Sequence, residues 1–177
     1  MKNIMLDLET MGTSVNSAIV SIGAVEFSEG LGITDRFYVN IDLQSCMDKG
    51  MEINAKTLMW WMKQSDEARK SLTGDTIPLR DALKSFREWV VKGNENVQIW
   101  GNGSDFDNAM ISNAYSKFNA TQPWNYWDNR CYRTLVYSLP KLEFKRDGTH
   151  HNALDDAEYQ AKHLIALVTA NKLTHVL

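Results

Sequence analysis

Cysteine is scarce in this chain. Cys46 and Cys131 are the two present among 177 residues, too few for a disulfide framework and without the paired spacing of a zinc site. That usage fits a reducing, cytoplasmic compartment. Long apolar runs are missing as well. No stretch approaches the ~20 residues that cross a bilayer, and the N-terminus leads straight into acidic residues with no apolar leader, so neither a membrane partner nor a signal peptide is expected. Charge of one sign is also lacking. With 19 basic and 22 acidic side chains the net charge is −3, which argues against a plain nucleic-acid binder held by a basic surface. Four acids engaged with cations would reverse that sign. The chain has no P-loop, no GxGxxG, no GxSxG and no HExxH pattern. It also has no repeat, linker or low-complexity segment, and the glycosylation patterns at Asn102 and Asn119 carry no meaning in a cytoplasmic chain.

What is present suffices for one domain spanning residues 1–177, with 44% hydrophobic and 23% charged residues. The stretch that organises the rest comes almost first: Ile4, Met5, Leu6, Asp7, Leu8, Glu9 and Thr10. Strand side chains alternate faces, so Ile4, Leu6 and Leu8 share one face while Met5, Asp7 and Glu9 share the other. Two carboxylates therefore lie side by side where the strand ends. They are either solvated acids on an edge strand or a site for a hard divalent cation that relieves their repulsion.

Further strands are expected at residues 18–27 and 36–41, joined by a turn at 29–32, so that residues 3–41 form an antiparallel meander. Residues 42–54 read as loop. A helix is expected over 55–64 with Ala55, Leu58, Met59 and Met62 as its stripe. Trp60 and Trp61 lie off that stripe, as a second packing surface, a base-stacking pair or a dimer contact. A second helix starts at Asp75 to Pro78, buries Leu79, Leu83, Phe86 and Val90, and stops at Gly93 and Asn94. Residues 96–100 read as a strand that joins the meander in parallel. The glycine-rich turn Gly101 to Asp107 opens a helix through about Phe118, with Phe106, Met110, Ala114 and Phe118 on its apolar stripe. An aromatic loop (123–127), a short helix (130–139) and a polar segment (142–150) precede a last helix from about Asn152 to Asn171. Its buried face is Leu154, Ala157, Ala161, Leu164, Ile165 and Val168. The class is α/β with a mixed sheet flanked by helices.

Three acidic clusters fall at the ends of these elements: Asp7 with Glu9, Asp105 with Asp107, and Asp155 with Asp156, the last preceded by His151. Carboxylates converging from separate elements are what a two-metal phosphodiesterase needs. A histidine with an ordinary pKa near ~6.5 suits the base that takes a proton from water. Periodicity alone separates neither Asp105 from Asp107 nor Asp155 from Asp156.

These residues also resemble a family. The Asp7-x-Glu9-Thr10 stretch, Asn102 to Asp107 and His151-x-Ala153-Leu154-x-Asp156 look, in order, like the three motifs of the DEDDh 3′–5′ exonucleases, which have a ribonuclease H-like fold. The resemblance covers most of the chain. Trp60 with Trp61, Gly101 to Gly103, Asn129 with Arg130, and Arg133 with Thr134 are similar to its phage and bacterial branch, the exonuclease VIII-like and mycobacterial-type 3′–5′ exoribonucleases. The resemblance implies two Mg²⁺ or Mn²⁺ ions held by Asp7, Glu9, Asp107 and Asp156, with His151 rather than His150 as general base. It further implies a 3′ end of single-stranded DNA or RNA bound by Thr10, Met11, Gly12, Trp61, Asn102, Arg130 and Arg133, with Trp60, Trp124 and Lys145 as additional contacts, and a homodimer. The second motif departs from its commonest form, His-Asn, at Asn102 and Gly103; the difference falls on substrate or water contacts rather than on metal ligation. Two other functions fit the same residues: a catalytically silent nucleic-acid-binding or regulatory protein on this fold, and a ribonuclease H-like endonuclease.

Overall fold

A first strand, β1 (Lys2–Thr10), forms from the acidic stretch, with Ile4, Leu6 and Leu8 buried on one face and Met5 on the other. In the computed structural model of the chain, residues 1–93, 96–173 and 176–177 are described, with the main chain alone for Ser71. After β1 come β2 (Ile19–Ser28) and β3 (Gly32–Asn40), which complete the antiparallel meander. The third strand begins earlier than its hydrophobic pattern suggests, because Gly32 takes a left-handed φ of 72° and turns straight into the ladder.

The segment expected as loop contains a short helix, α1 (Leu43–Met47), which Asp42 caps by accepting from the Gln44 N–H. The next helix, α2 (Ala55–Trp61), is shorter than expected and its burial is reversed. Leu58, Met59 and Met62 are exposed, while Trp61 is 1% exposed and joins the core. Two turns are too few to define an apolar face, and one large side chain decides which way the helix lies. A further helix, α3 (Asp66–Thr73), starts at the Ser65 cap and packs on the core through Ala68 and Leu72; polar on its other faces, it left no clear periodic signal. Then α4 (Leu79–Val91) buries Leu79, Leu83, Phe86 and Val90 as its spacing predicts, and Ala82 with them. Gly93 follows it with a φ of 95°; Asn94, the other half of the expected stop, lies outside the described residues.

Strand β4 (Val97–Gly101) pairs in parallel with β1, and α5 (Asp107–Ser116) follows the glycine-rich turn. A 3₁₀ turn at Tyr126–Asp128 leads into β5 (Asn129–Cys131), a three-residue strand too short to show alternation in the sequence. It adds in parallel to β4. Finally α6 (Tyr132–Ser138) and α7 (Ala153–Ala170) are separated by a segment without helix or strand. The sheet order is β3-β2-β1-β4-β5, so β1 is central rather than an edge.

Helices cover both faces. Against one, Ile4, Leu6, Leu8 and Ile99 pack with Leu83 and Phe86 of α4 and Met110 and Ala114 of α5. Against the other, Met5, Val25 and Trp100 pack with Ala157, Ala161, Leu164 and Val168 of α7. The small residues of α7 allow close approach, and the extreme case is Gly23. It pairs across the ladder with Asp7, and a Cβ there would collide with the main chain of Ala153 and Leu154. Helix α7 therefore lands with its first turn directly on β2, beside Asp7. Among the described residues, no helix is long and apolar enough to cross a membrane.

Candidate active site

Strands β1 and β4 run in register only as far as Met5 and Trp100. Beyond that point they part, and the Leu8 N–H loses its strand partner. Asp107, in the first turn of α5, fills the gap: its carboxylate accepts from the Leu8 N–H at 3.1 Å and from the Asn102 N–H at 2.9 Å. Gly101 makes room, because a Cβ there would press on Asp107 and Asn108. Asp107 is buried while Asp105 is exposed, which separates two acids that sequence leaves open.

The other half of the site comes from α7. Asn152 caps the helix by accepting from the N–H groups of Leu154 and Asp155, a contact worth about 1 kcal/mol. His151, just before the cap, has a φ of 63°. That costly conformation is held by its own N–H, which donates to Asp156 Oδ2 at 3.1 Å. Asp155 turns away and accepts from the Thr149 N–H at 2.7 Å, which ties down the preceding segment. Asp156 faces the cavity. One oxygen each of Glu9 and Asp156 and one nitrogen of His151 lie within 4.8 Å of one another.

Asp7, Glu9, His151 and Asp156 line a common cavity of about 380 Å³, together with Asn102, Tyr132, Arg146, His150, Tyr159 and Gln160. Burial, then the charges of Asp107 and Glu9, push the Asp7 carboxyl well above its usual range, while a 2.7 Å hydrogen bond from Gln160 Nε2 acts against this. Burial and Asp107 carry Glu9 up to about 8. Burial raises Asp107 to about 6, against the pull of its two backbone donors. Carboxylates held this far up demand compensating positive charge, and oxygen-rich, crowded acids are a good match for hard divalent cations. His151 is lowered, by burial first and then by His150 and Arg146, so its imidazole is neutral near pH 7 and able to accept a proton.

A second cavity of about 660 Å³ adjoins through Glu9 and is lined by Thr10, Gly12, Asn54, Trp60, Trp61 and Phe106, among others. Thr10 Oγ1 donates to the Gly12 carbonyl, and the Trp61 indole N–H donates to the Thr10 carbonyl at 3.0 Å. Trp61 therefore supports this wall from within, whereas Trp60 is partly exposed and sets its ring edge-on to His151, 4.8 Å between centroids. Met11 is buried beneath the turn. Arg133 reaches Asn102 Oδ1 at 3.3 Å at the rim. Arg130 instead donates to the carbonyls of Trp127 and Asn129, Trp124 packs on Phe86, and Lys145 lines a separate small cavity. Two residues of the site gave little sign in the sequence. Gln160 is a polar interruption in the apolar stripe of α7, four residues after Asp156. Arg146 sits in an irregular segment with no pattern at all.

Comparison with known proteins places this arrangement. The family model of the 3′–5′ exoribonuclease Rv2179c-like domain matches residues 2–168. The chain belongs to this family. It is thus a 3′–5′ exonuclease domain, with the ribonuclease H-like mixed sheet expected from its motifs. An exodeoxyribonuclease of Enterobacteria phage T4 is 25% identical over 167 residues, covering 78% of this exonuclease and 72% of the phage protein. Among solved structures, the nuclease domain of 3′hExo, a DEDDh family member bound to rAMP, superposes with a TM-score of 0.62 at 16% identity, over 97% of this chain and 92% of that one. Exonuclease I of E. coli in complex with a dT13 oligonucleotide gives 0.63 at 14% identity; 97% of this exonuclease matches 42% of that larger chain. Pop2p of S. pombe, in its Mg²⁺- and Mn²⁺-bound form, gives 0.60 at 14% identity, over 94% and 82%.

Proposed function

We propose that this exonuclease removes nucleotides from the 3′ end of single-stranded DNA or RNA and releases nucleoside 5′-monophosphates. In this reading Asp7, Glu9, Asp107 and Asp156 hold two divalent cations, Mg²⁺ or Mn²⁺. The observation that carries it is the cavity that Asp7, Glu9 and Asp156 line together, with Asp107 close enough for its charge to add to burial in pushing the Asp7 and Glu9 carboxyls above their ordinary range. Bound by these residues, the cations would supply Lewis-acid charge stabilisation for hydrolysis of the phosphodiester. His151 takes the proton from the attacking water, the new bond forms to phosphorus, and the bond to the preceding nucleotide's O3′ breaks. Gln160 fixes Asp7 by its hydrogen bond, and the N–H of His151 fixes Asp156, so the carboxylates need little reorganisation. The wall formed by Thr10 and Gly12 beside Trp60, with Met11 buried beneath it, receives the terminal nucleoside, with Trp61 supporting it. Asn102 and Arg133 approach the phosphates, and Arg130 lies further along the strand's path. A homodimer belongs to the same reading, with the exposed Trp60 rather than the buried Trp61 available to its contact.

The test uses 3′-labelled and 5′-labelled single-stranded RNA and DNA of one sequence, with Mn²⁺, for the wild type and Asp7→Ala. Mononucleotides released from the 3′ end by the wild type alone are the expected result, and the faster polymer names the substrate. Binding without cleavage, unchanged by EDTA, would favour a silent binding protein. Cleavage of circular single strands would favour an endonuclease.

A further inference from the structure

Among the described residues, Arg146 is the one lysine or arginine lining the cavity that Asp7, Glu9 and Asp156 share. Its guanidinium forms an ion pair with the Asp156 carboxylate, with side-chain exposures of 23% and 13%. The same charge is felt at Asp7, Glu9 and His151. It therefore sits among the carboxylates rather than at their rim. The pairing is a contact of charges rather than a satisfied fork: among the described residues, neither Nε nor Nη2 of Arg146, nor Oδ1 of Asp156, has a hydrogen-bond partner. One face of the guanidinium lies over the Tyr159 ring, 5.0 Å from its centroid. The residue is rooted between α6 and α7, where the chain has neither helix nor strand.

We propose that Arg146 exchanges partners: it neutralises Asp156 until a divalent cation takes that carboxylate, and it then turns to the phosphate of the bound nucleotide. This rests on the exonuclease reading above. A dication on the Asp156 carboxylate would repel the guanidinium paired there, and the ion with twice the charge wins the buried carboxylate. A released guanidinium remains in the cavity with two parallel donors, which match phosphate oxygens as they match a carboxylate. The tether allows the change, because no helix or strand fixes its direction. Cation and nucleotide then favour one another through this side chain, and by linkage each raises the other's affinity by the same factor. A mere clamp of the irregular segment onto α7 would predict no such coupling.

Two titrations separate these readings. Mn²⁺ is titrated calorimetrically into EDTA-stripped wild type, Arg146→Gln, Arg146→Lys and Asp7→Ala. AMP and dAMP are then titrated into the Mn²⁺-saturated proteins. Removing the competing charge in Arg146→Gln should tighten Mn²⁺ binding about tenfold and weaken mononucleotide binding about tenfold, opposite signs that damage to the fold does not produce. Arg146→Lys keeps the charge without the fork, so its Mn²⁺ affinity should stay close to wild type while its nucleotide affinity falls. Unchanged or weaker Mn²⁺ binding in Arg146→Gln overturns the exchange, as does unchanged nucleotide binding. Wild-type Mn²⁺ binding that is absent, or indifferent to Asp7→Ala, overturns the exonuclease reading itself.

Discussion

Replacing Glu9 with glutamine should make the protein more stable while removing its function. Glu9 is 8% exposed, and burial with the Asp107 charge moves its carboxyl from 4.5 to about 8. A carboxyl raised in the folded state holds a proton that the unfolded chain releases, so stability falls as pH climbs from 4.5 to 8 and levels off above. Linkage puts this cost at about 4 kcal/mol at pH 8. Glutamine has nearly the same shape and no charge. Allowing about 1–2 kcal/mol for a buried amide that must find partners leaves a net gain of about 2–3 kcal/mol. For a chain of this length that is a rise in Tm of about 5–10 °C. The assay is thermal unfolding followed by circular dichroism in EDTA, at pH 8 and pH 4.5. Near pH 4.5 the wild-type carboxyl is protonated in the folded protein, so the ionisation cost all but vanishes, the buried amide dominates, and the variant should be the less stable of the two by about 1 kcal/mol. A variant that melts no higher than wild type at pH 8, or that gains equally at both pH values, would refute the argument that ionisation of Glu9 strains the fold. Adding Mn²⁺ should stabilise the wild type more than the variant, and in Mn²⁺ the order of the two can invert.

Mn²⁺ affinity should rise with pH between 6 and 8, because Asp107 (about 6) and Glu9 (about 8) must lose their protons to bind a cation; calorimetry in buffers of different ionisation enthalpy would count the protons released. Gly23→Ala should cost about 3 kcal/mol or more by pushing α7 off β2, and the surviving folded fraction should bind Mn²⁺ poorly, since Asp156 recedes from Asp7; denaturant unfolding and the same titration read the two effects. His151→Ala should slow cleavage by about 10²–10⁴ with Mn²⁺ binding largely kept, whereas His150→Ala, at an exposed position, should leave the rate close to wild type in single-turnover assays.

The core of this fold was legible where side-chain spacing matches a long element. The period of two in β1 put Asp7 and Glu9 on one face, and the stripe of α7 with its Asn152 cap put Asp156 in a first turn. Short elements were not legible, since α2 buries through Trp61 alone and β5 has only three residues. Some choices were local to tertiary contacts. Asp155 and Asp156 are neighbours on α7, and only the Thr149 N–H, which takes Asp155, leaves Asp156 for the cavity. The partnership of Arg146 with Asp156 likewise depends on where an irregular segment happens to cross the helix.

The two halves of the carboxylate cluster are supplied by the first strand and the last helix, and this ordering matters during synthesis. Asp7 and Glu9 leave the ribosome more than 140 residues ahead of His151 and Asp156. Domains complete their packing as units once the needed elements have emerged, and here the closing contact is α7 on Gly23. A growing chain therefore holds its strand acids without the histidine or the last carboxylate. Under the proposed mechanism, a chain growing through this domain has no hydrolytic activity until α7 docks on β2.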